Sequence, residues 1–225
     1  MRFSALTGQQ IDQIDREMPV LLPVARTVPR GPGLPVGMEA KVLEDAVSLI
    51  RDQQVLLLPT PPFAASPMFA GFTGRLSIAP STFASVISDI LNSVLSAGFR
   101  RVLVLSVEES LCAQTLFTLQ SVRAENPTSL LFTASLQGLC GADSLFIGHI
   151  AAANDWVGEF DPRDIDLPLT PSVPEFIPLN QEISTSGSIM DPCSFNRKEG
   201  LRLRELSRQK LESLLQHMSQ PVTFR

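Results

Sequence analysis

Residues 98–112 read GFRRVLVLSVEESLC, and the reading of this stretch decides the fold. Val102–Leu105 is apolar without interruption, as a strand covered on both faces must be. Gly98 ends the helix before it, and Glu108, Glu109 and Ser110 follow it. Upstream, Ser81 or Thr82 caps a helix running to Ala97, with Val86, Ile90, Val94 and Leu95 on its inner face. Val55–Leu58 is a strand closed by Pro59. Before it, Glu39–Asp52 is a helix with Val42, Ala46, Leu49 and Ile50 at core spacing. Met18–Val24 is a strand with prolines near its ends, and Thr7 caps a short helix over Gly8–Glu17. Downstream come a helix over Leu111–Ala124 and a strand over Leu130–Ala134. Strands and helices in strict alternation predict an α/β fold, a mainly parallel sheet flanked by helices and joined by right-handed crossovers.

In such a sheet the binding crevice lies outside the carboxyl ends of the strands. Here those ends lead into Ala25–Gly37, Thr60–Gly74, Ser106–Ser110 and the region around His149. Loops of the length of the first two are usually functional or face a partner. Beyond residue 135 the pattern weakens. Asp143–Trp156 has helical spacing, Asp161–Gln181 is proline-rich and irregular, and Asn196–Met218 is a long amphipathic helix carrying Leu201, Leu203, Leu206, Leu211, Leu214 and Leu215. No repeat appears, so residues 1–225 are expected to form one domain.

At 225 residues, folding buries roughly 70% of the unfolded surface, so a core needs no disulfide or metal. A net charge of −5 provides no basic field for a polyanion, which argues against nucleic acid. The one basic cluster, Arg197–Lys210, is interleaved with Glu199, Glu205 and Glu212 and reads as a solvated helix face with i,i+4 pairs. Cys112, Cys140 and Cys193 are odd in number and far apart, which suits a reducing compartment. The N-terminal stretch is polar and no apolar run is long enough for a bilayer, so a cytoplasmic protein without membrane contact is expected.

Few residues offer chemistry. Glu108 and Glu109 stand where a general base could follow a buried strand, although paired acids there are also ordinary solvated caps. Cys112 sits near a helix start, where a thiol is acidified, but has no histidine beside it in sequence. His149 lies near the crevice and can be read as an acid–base group or as a structural residue. His217 suits the negative end of the last helix. Gly71 and Gly74 flank a tight loop without any phosphate-binding pattern.

Val24–Glu39, reading VARTVPRGPGLPVGME, resembles the first metal-binding segment of the creatininase-type amidohydrolases, G-x-x-E-Q-H-G-P-H-L-P-x-x-T-D, with Gly31, Pro32, Leu34 and Pro35 as the matching frame. Phe72–Ser77, reading FTGRLS, is similar to that family's F-P-G-T-x-S segment. Gly98–Arg100 is similar to its G-F-R, which precedes N-G-H-x-x-N in the family. Gly187, Asp191-Pro192 and Glu199-Gly200 resemble its late signatures. The motifs stand in family order over residues 5 to 215. The resemblance implies a three-layer creatininase-like fold, often hexameric, with two divalent metals such as zinc or manganese hydrolysing a cyclic or unreactive amide. A two-metal site holds its ions ~3.5–4 Å apart on carboxylate-rich ligands.

Carried over position by position, the family's ligands fall on Val28, Arg30, Glu39, Glu108 and Ser110. An isopropyl group and a permanent cation bind no metal, and a serine hydroxyl is a poor ligand. Two carboxylates remain, and no histidine. Arg30, Glu39, Glu108, Ser110 and His149 are therefore expected to line the former metal cleft, with Arg30 neutralising the two glutamates by forked pairing. The reading that follows is a creatininase-like pseudoenzyme without a metal cofactor, serving binding or assembly. It would form a homo-oligomer, in the family a hexamer, or join an active paralogue, and a small-molecule ligand is open. The alternative is a working amidohydrolase with an altered, metal-poor site using Glu108 or His149.

Overall fold

Two apolar runs form the middle of the sheet. They are β1 (Val20–Pro23) and β3 (Arg101–Ser106), buried at every position. The computed structural model describes residues 1–50, 55–61, 63–164 and 192–220. Gly187, Asp191 and most of the proline-rich Asp161–Gln181 stretch lie outside them. β2 (Leu56–Leu57) and β4 (Leu130–Ser135) flank the central pair in the order β2-β1-β3-β4, all parallel. Val20 lies between Leu56 and Val102, and Arg101 opposite Leu130.

This order fixes where a crevice opens. The chain leaves β1 toward β2 and then crosses back over β1 to reach β3, so the connections diverge between β1 and β3. A ligand crevice in an open α/β sheet forms at such a point, beyond the carboxyl ends of the two strands.

The divergence also sorts the helices. α2 (Met38–Ser48), α6 (Phe146–Ala153) and α7 (Arg197–Met218) share one face of the sheet, with Val42, Leu43, Phe146, Leu203 and Leu211 packed on Leu21, Leu103 and Leu105. α3 (Pro80–Ser96), α4 (Glu109–Glu125) and the short α1 (Gly8–Asp12) share the other, where Ile87, Leu91, Leu119 and Val122 meet Val20, Leu22, Val102 and Val104. Odd and even residues of each strand thus feed two separate apolar layers, the alternation a pleated strand imposes. Gly200 permits the close crossing of α6 and α7, because a Cβ there would lie 1.9 Å from the His149 carbonyl oxygen.

Several elements differ from their sequence reading. The helix expected over Gly8–Glu17 stops at Asp12: Gln13 donates to Gln10 and Ile14 to Ile11, each three residues back, and the Arg16 guanidinium takes the Ile11 and Ile14 carbonyls. α3 begins at Pro80, whose fixed φ suits the first helical position, rather than from a Ser81 or Thr82 cap. Its buried stripe is Phe83, Ile87, Leu91 and Leu95, while Val86, Ile90 and Val94 are only half-buried. α6 is shorter than Asp143–Trp156, and α5 (Leu136–Cys140), capped by Ser135, was not anticipated. Leu201 points outward, 49% exposed, although it belongs to the leucine series of α7. Among the described residues no helix is long and apolar enough to cross a membrane.

Candidate functional site

Beyond the carboxyl ends of β1 and β3 the chain places four charged side chains against one another. Three residues past Pro23, Arg26 turns inward from the first loop. Arg30 follows it back into the protein, helped by Gly31, whose φ of 88° is accessible to glycine at little cost. Glu39 stands in the first turn of α2, where an acid suits the helix dipole. Glu108 is the N-cap residue of α4, directly after the buried run that ends at Val107.

Each carboxylate meets both guanidiniums. The Arg26 Nε–H donates to Glu39 Oε1 at 3.0 Å and Oε2 at 3.3 Å, and the Arg26 backbone N–H donates to Oε2 at 2.9 Å. Arg26 Nη2 reaches Glu108, and its Nη1 donates to Ser110 Oγ at 3.1 Å. Arg30 Nη1 donates to Glu108 Oε1 at 2.6 Å, while its Nη2 reaches Glu39 Oε1. Side-chain exposure is 4% for Arg26, 1% for Arg30 and Glu39, and 18% for Glu108. The Arg30 guanidinium also lies over the Phe69 ring, 5.5 Å from its centroid, a cation–π distance. Its Nε–H is buried without a hydrogen-bond partner among the described residues.

Two positive and two negative groups cancel, which is how charges persist at such depth. Burial alone would raise the Glu108 pKa; the charges and hydrogen bonds of Arg30 and then Arg26 outweigh it and hold the carboxyl below its ordinary value. Burial likewise acts to lower the Arg30 pKa, and Glu39 and Glu108 reverse the sign, leaving it above the usual guanidinium value. Arg30 and Glu108 are therefore both charged at neutral pH.

The residues singled out from sequence divide three ways. Arg30, Glu39, Glu108 and Ser110 come together. Val28 is fully buried, its backbone N–H donating to the Val36 carbonyl. His149 is buried on α6, where its Nδ1 accepts the Asn196 backbone N–H at the start of α7, and none of its described hydrogen bonds reaches the cluster. Cys112 contacts Thr133 Oγ1 at 3.3 Å, with no histidine among its described bonds. Glu109 turns away toward Gly138 in α5. Arg26 was missed. A single Arg was expected to neutralise both glutamates, whereas two share the task. Its sequence signal is slight: an arginine just after a buried strand and four residues ahead of Arg30, in a loop where that spacing has no helical meaning.

The chain shares this arrangement of elements with solved structures. A creatinine amidohydrolase (creatininase) structure aligns with a TM-score of 0.81 over 98% of both chains at 14% identity. A manganese creatininase aligns at 0.80 over 98% of this chain and 99% of that one, also at 14%. A Bacteroides fragilis NCTC 9343 protein assigned to the creatinine amidohydrolases aligns at 0.76 over 100% and 98%, with 16% identity. The family model for creatininase, creatinine amidohydrolase, matches residues 4–109. The fold is creatininase-like. The matched segment takes in Arg26, Arg30, Glu39 and Glu108 and ends one residue before Ser110. No curated protein sequence matches the chain.

Within the creatininase-like frame, the donor set does not fit a pair of divalent ions. Both carboxylates are engaged by two permanent cations, Val28 has no donor atom, and the Ser110 hydroxyl already accepts from Arg26. Among the described residues no group of three His, Cys, Asp or Glu side chains is placed to hold a metal.

Proposed function

We propose that this chain is a creatininase-like pseudoenzyme, a non-catalytic subunit for binding or assembly, in which the guanidiniums of Arg26 and Arg30 supply the positive charge that divalent ions supply elsewhere in the family. The observation that carries this reading is that Glu39 and Glu108 each bond to both arginines with the cluster almost sealed from solvent. A catalytic metal needs an open coordination position for water, and a catalytic base needs a pKa near the working pH. Glu108 is held in the opposite direction.

The assembly role draws support from the loops above the cluster. Val36, Phe63, Met68 and Leu76 are 40–52% exposed. Backbone contacts join their segments: Val28 N–H donates to Val36, Leu76 N–H donates to Thr27, and Ala64 bridges Ser77. Several large apolar side chains gathered on one rim mark an association surface. A second copy of the chain, or a related chain with intact metal ligands, is the partner this reading calls for.

One experiment tests both halves. Protein produced in zinc- and manganese-supplemented medium is passed over a sizing column, and the same peak is analysed for elements and by light scattering. The expected result is far less than one divalent ion per chain in a particle larger than a monomer. Stoichiometric zinc, manganese or iron retained through the column overturns the pseudoenzyme reading; a metal-free monomer overturns self-assembly.

A further inference from the structure

Away from the cluster, on the α3 face of the sheet, lies an apolar cavity of about 410 Å³. Its floor is Val20 and Leu22 of β1 with Leu56 and Leu58 at the β2 edge, all less than 7% exposed. Its roof is thin. α1 is only five residues long, so Ile11 and Phe3 are what the N-terminal segment brings over the floor. On the α3 side, Ser93 and Ala97 stand one turn apart, and their small side chains leave the space between helix and sheet open. The volume falls within the roughly 300–1,000 Å³ of small-molecule sites, which are likewise apolar with a few polar groups at fixed points.

One lining residue is ionisable. Asp89, a turn before Ser93, is exposed, and its carboxylate has no hydrogen bond or ion pair among the described residues. Ser93 does not neutralise it, since its hydroxyl donates to the Asp89 backbone carbonyl at 2.8 Å. Arg16, whose guanidinium lies 4.7 Å from the centroid of the Phe99 ring, is turned to the carbonyls of Ile11 and Ile14 and has Asp12 as its ion-pair partner at 3.9 Å. The cavity therefore pairs an apolar interior with an uncompensated negative charge at its lip.

We propose that this cavity is a binding site for a small apolar molecule bearing a cationic amine. The hydrocarbon or ring occupies the floor between β1, β2 and α3, and the ammonium group sits against Asp89. Removal of apolar surface from water supplies the affinity, and the carboxylate sets the preference among charged ends.

The test uses the full chain and a neutral phenylnaphthylamine fluorophore, displaced in turn by decylammonium and by decanoate. The wild type is expected to bind the fluorophore. Decylammonium is expected to displace it at about fivefold lower concentration than decanoate, the size of effect an exposed charge has on two opposite partners. Asp89→Asn should keep fluorophore binding and lose the preference. Ala97→Phe should lose binding, with its circular dichroism melt checking that the fold is intact. Should Ala97→Phe not fold, Asp89→Asn, a surface change, still decides the matter. Failure of the wild type to bind, equal displacement by the two amphiphiles, or a preference that survives Asp89→Asn overturns the proposal.

Discussion

Arginine and glutamate pair both on the surface of this protein and inside it, and the contrast shows what depth does to the same chemistry. Along the outer face of α7, Arg202 pairs with Glu199 at 2.6 Å, and Arg208 with Glu205 at 2.5 Å and Glu212 at 2.6 Å. At the head of the sheet Arg26 and Arg30 pair with Glu39 and Glu108 over similar distances. Yet Arg202 is 59% exposed and Glu205 53%, against 1% for Arg30 and Glu39. On α7 the partners lie three or four residues apart and water competes for every charge. In the cluster Arg26 and Glu108 are 82 residues apart, so the pairs join the β1 loop, α2 and the start of α4. A broken pair on α7 returns to solvent. A broken pair in the cluster leaves a charge stranded inside the protein.

The largest effect follows from that difference. Arg30→Met removes one cation and leaves Glu39 and Glu108 to share Arg26. Urea unfolding should show a loss of about 3–5 kcal/mol, the cost of unpairing a buried charge. Much of it should return when Glu39 is also replaced by an apolar residue, since the remaining Arg26 and Glu108 balance. A loss no greater than that seen for an α7 arginine would erase the distinction.

Glu108→Gln comes next. At neutral pH it should cost about 2 kcal/mol, because hydrogen bonds to charged groups are lost. The pH dependence carries the sharper signature. The folded Glu108 pKa lies below the unfolded one, so its contribution is complete above the ordinary glutamate range near pH 4–5 and fades as pH falls through the folded value. A stability profile from pH 7 to pH 2 should be less steep on the acid side for the glutamine variant than for the wild type. Parallel acid limbs would show that the arginines do not hold Glu108 down.

The smallest effect belongs to α7. Hydrogen bonds from Arg208 and Gln209 hold Glu205 at about 2, but both partners of the Arg208–Glu205 pair meet solvent. Arg208→Ala should leave the urea midpoint almost unchanged. Raising salt to about 1 M shortens the screening length to ~3 Å and should erase what difference exists. The effect of Arg30→Met should persist at that salt.

Much of the fold could be read before any coordinates. The apolar runs at Val55–Leu58 and Val102–Leu105, the proline and glycine stops, and the Asn196–Met218 periodicity are local signals, and the elements appear where those signals stand. The errors were also local in origin. α1 ended early because Arg16 turned back on its carbonyls, and the inner face of α3 was rotated because Phe83, Ile87, Leu91 and Leu95 form the continuous stripe one turn apart. α5 escaped notice because one capped turn has no period to detect.

The amino-acid sequence by itself determined which side chains stand at the positions where the creatininase resemblance implies metal ligands: Val28, Arg30 and Ser110, with the carboxylates of Glu39 and Glu108. Only the tertiary structure decided the partners. Arg26 enters the cluster, His149 is held in the α6–α7 contact, and both glutamates are shared by two guanidiniums, because parallel pairing of β1 with β3 brings their carboxyl ends together. Burial sets the strength of those contacts, and burial is a property of the packed chain that no single stretch of residues contains.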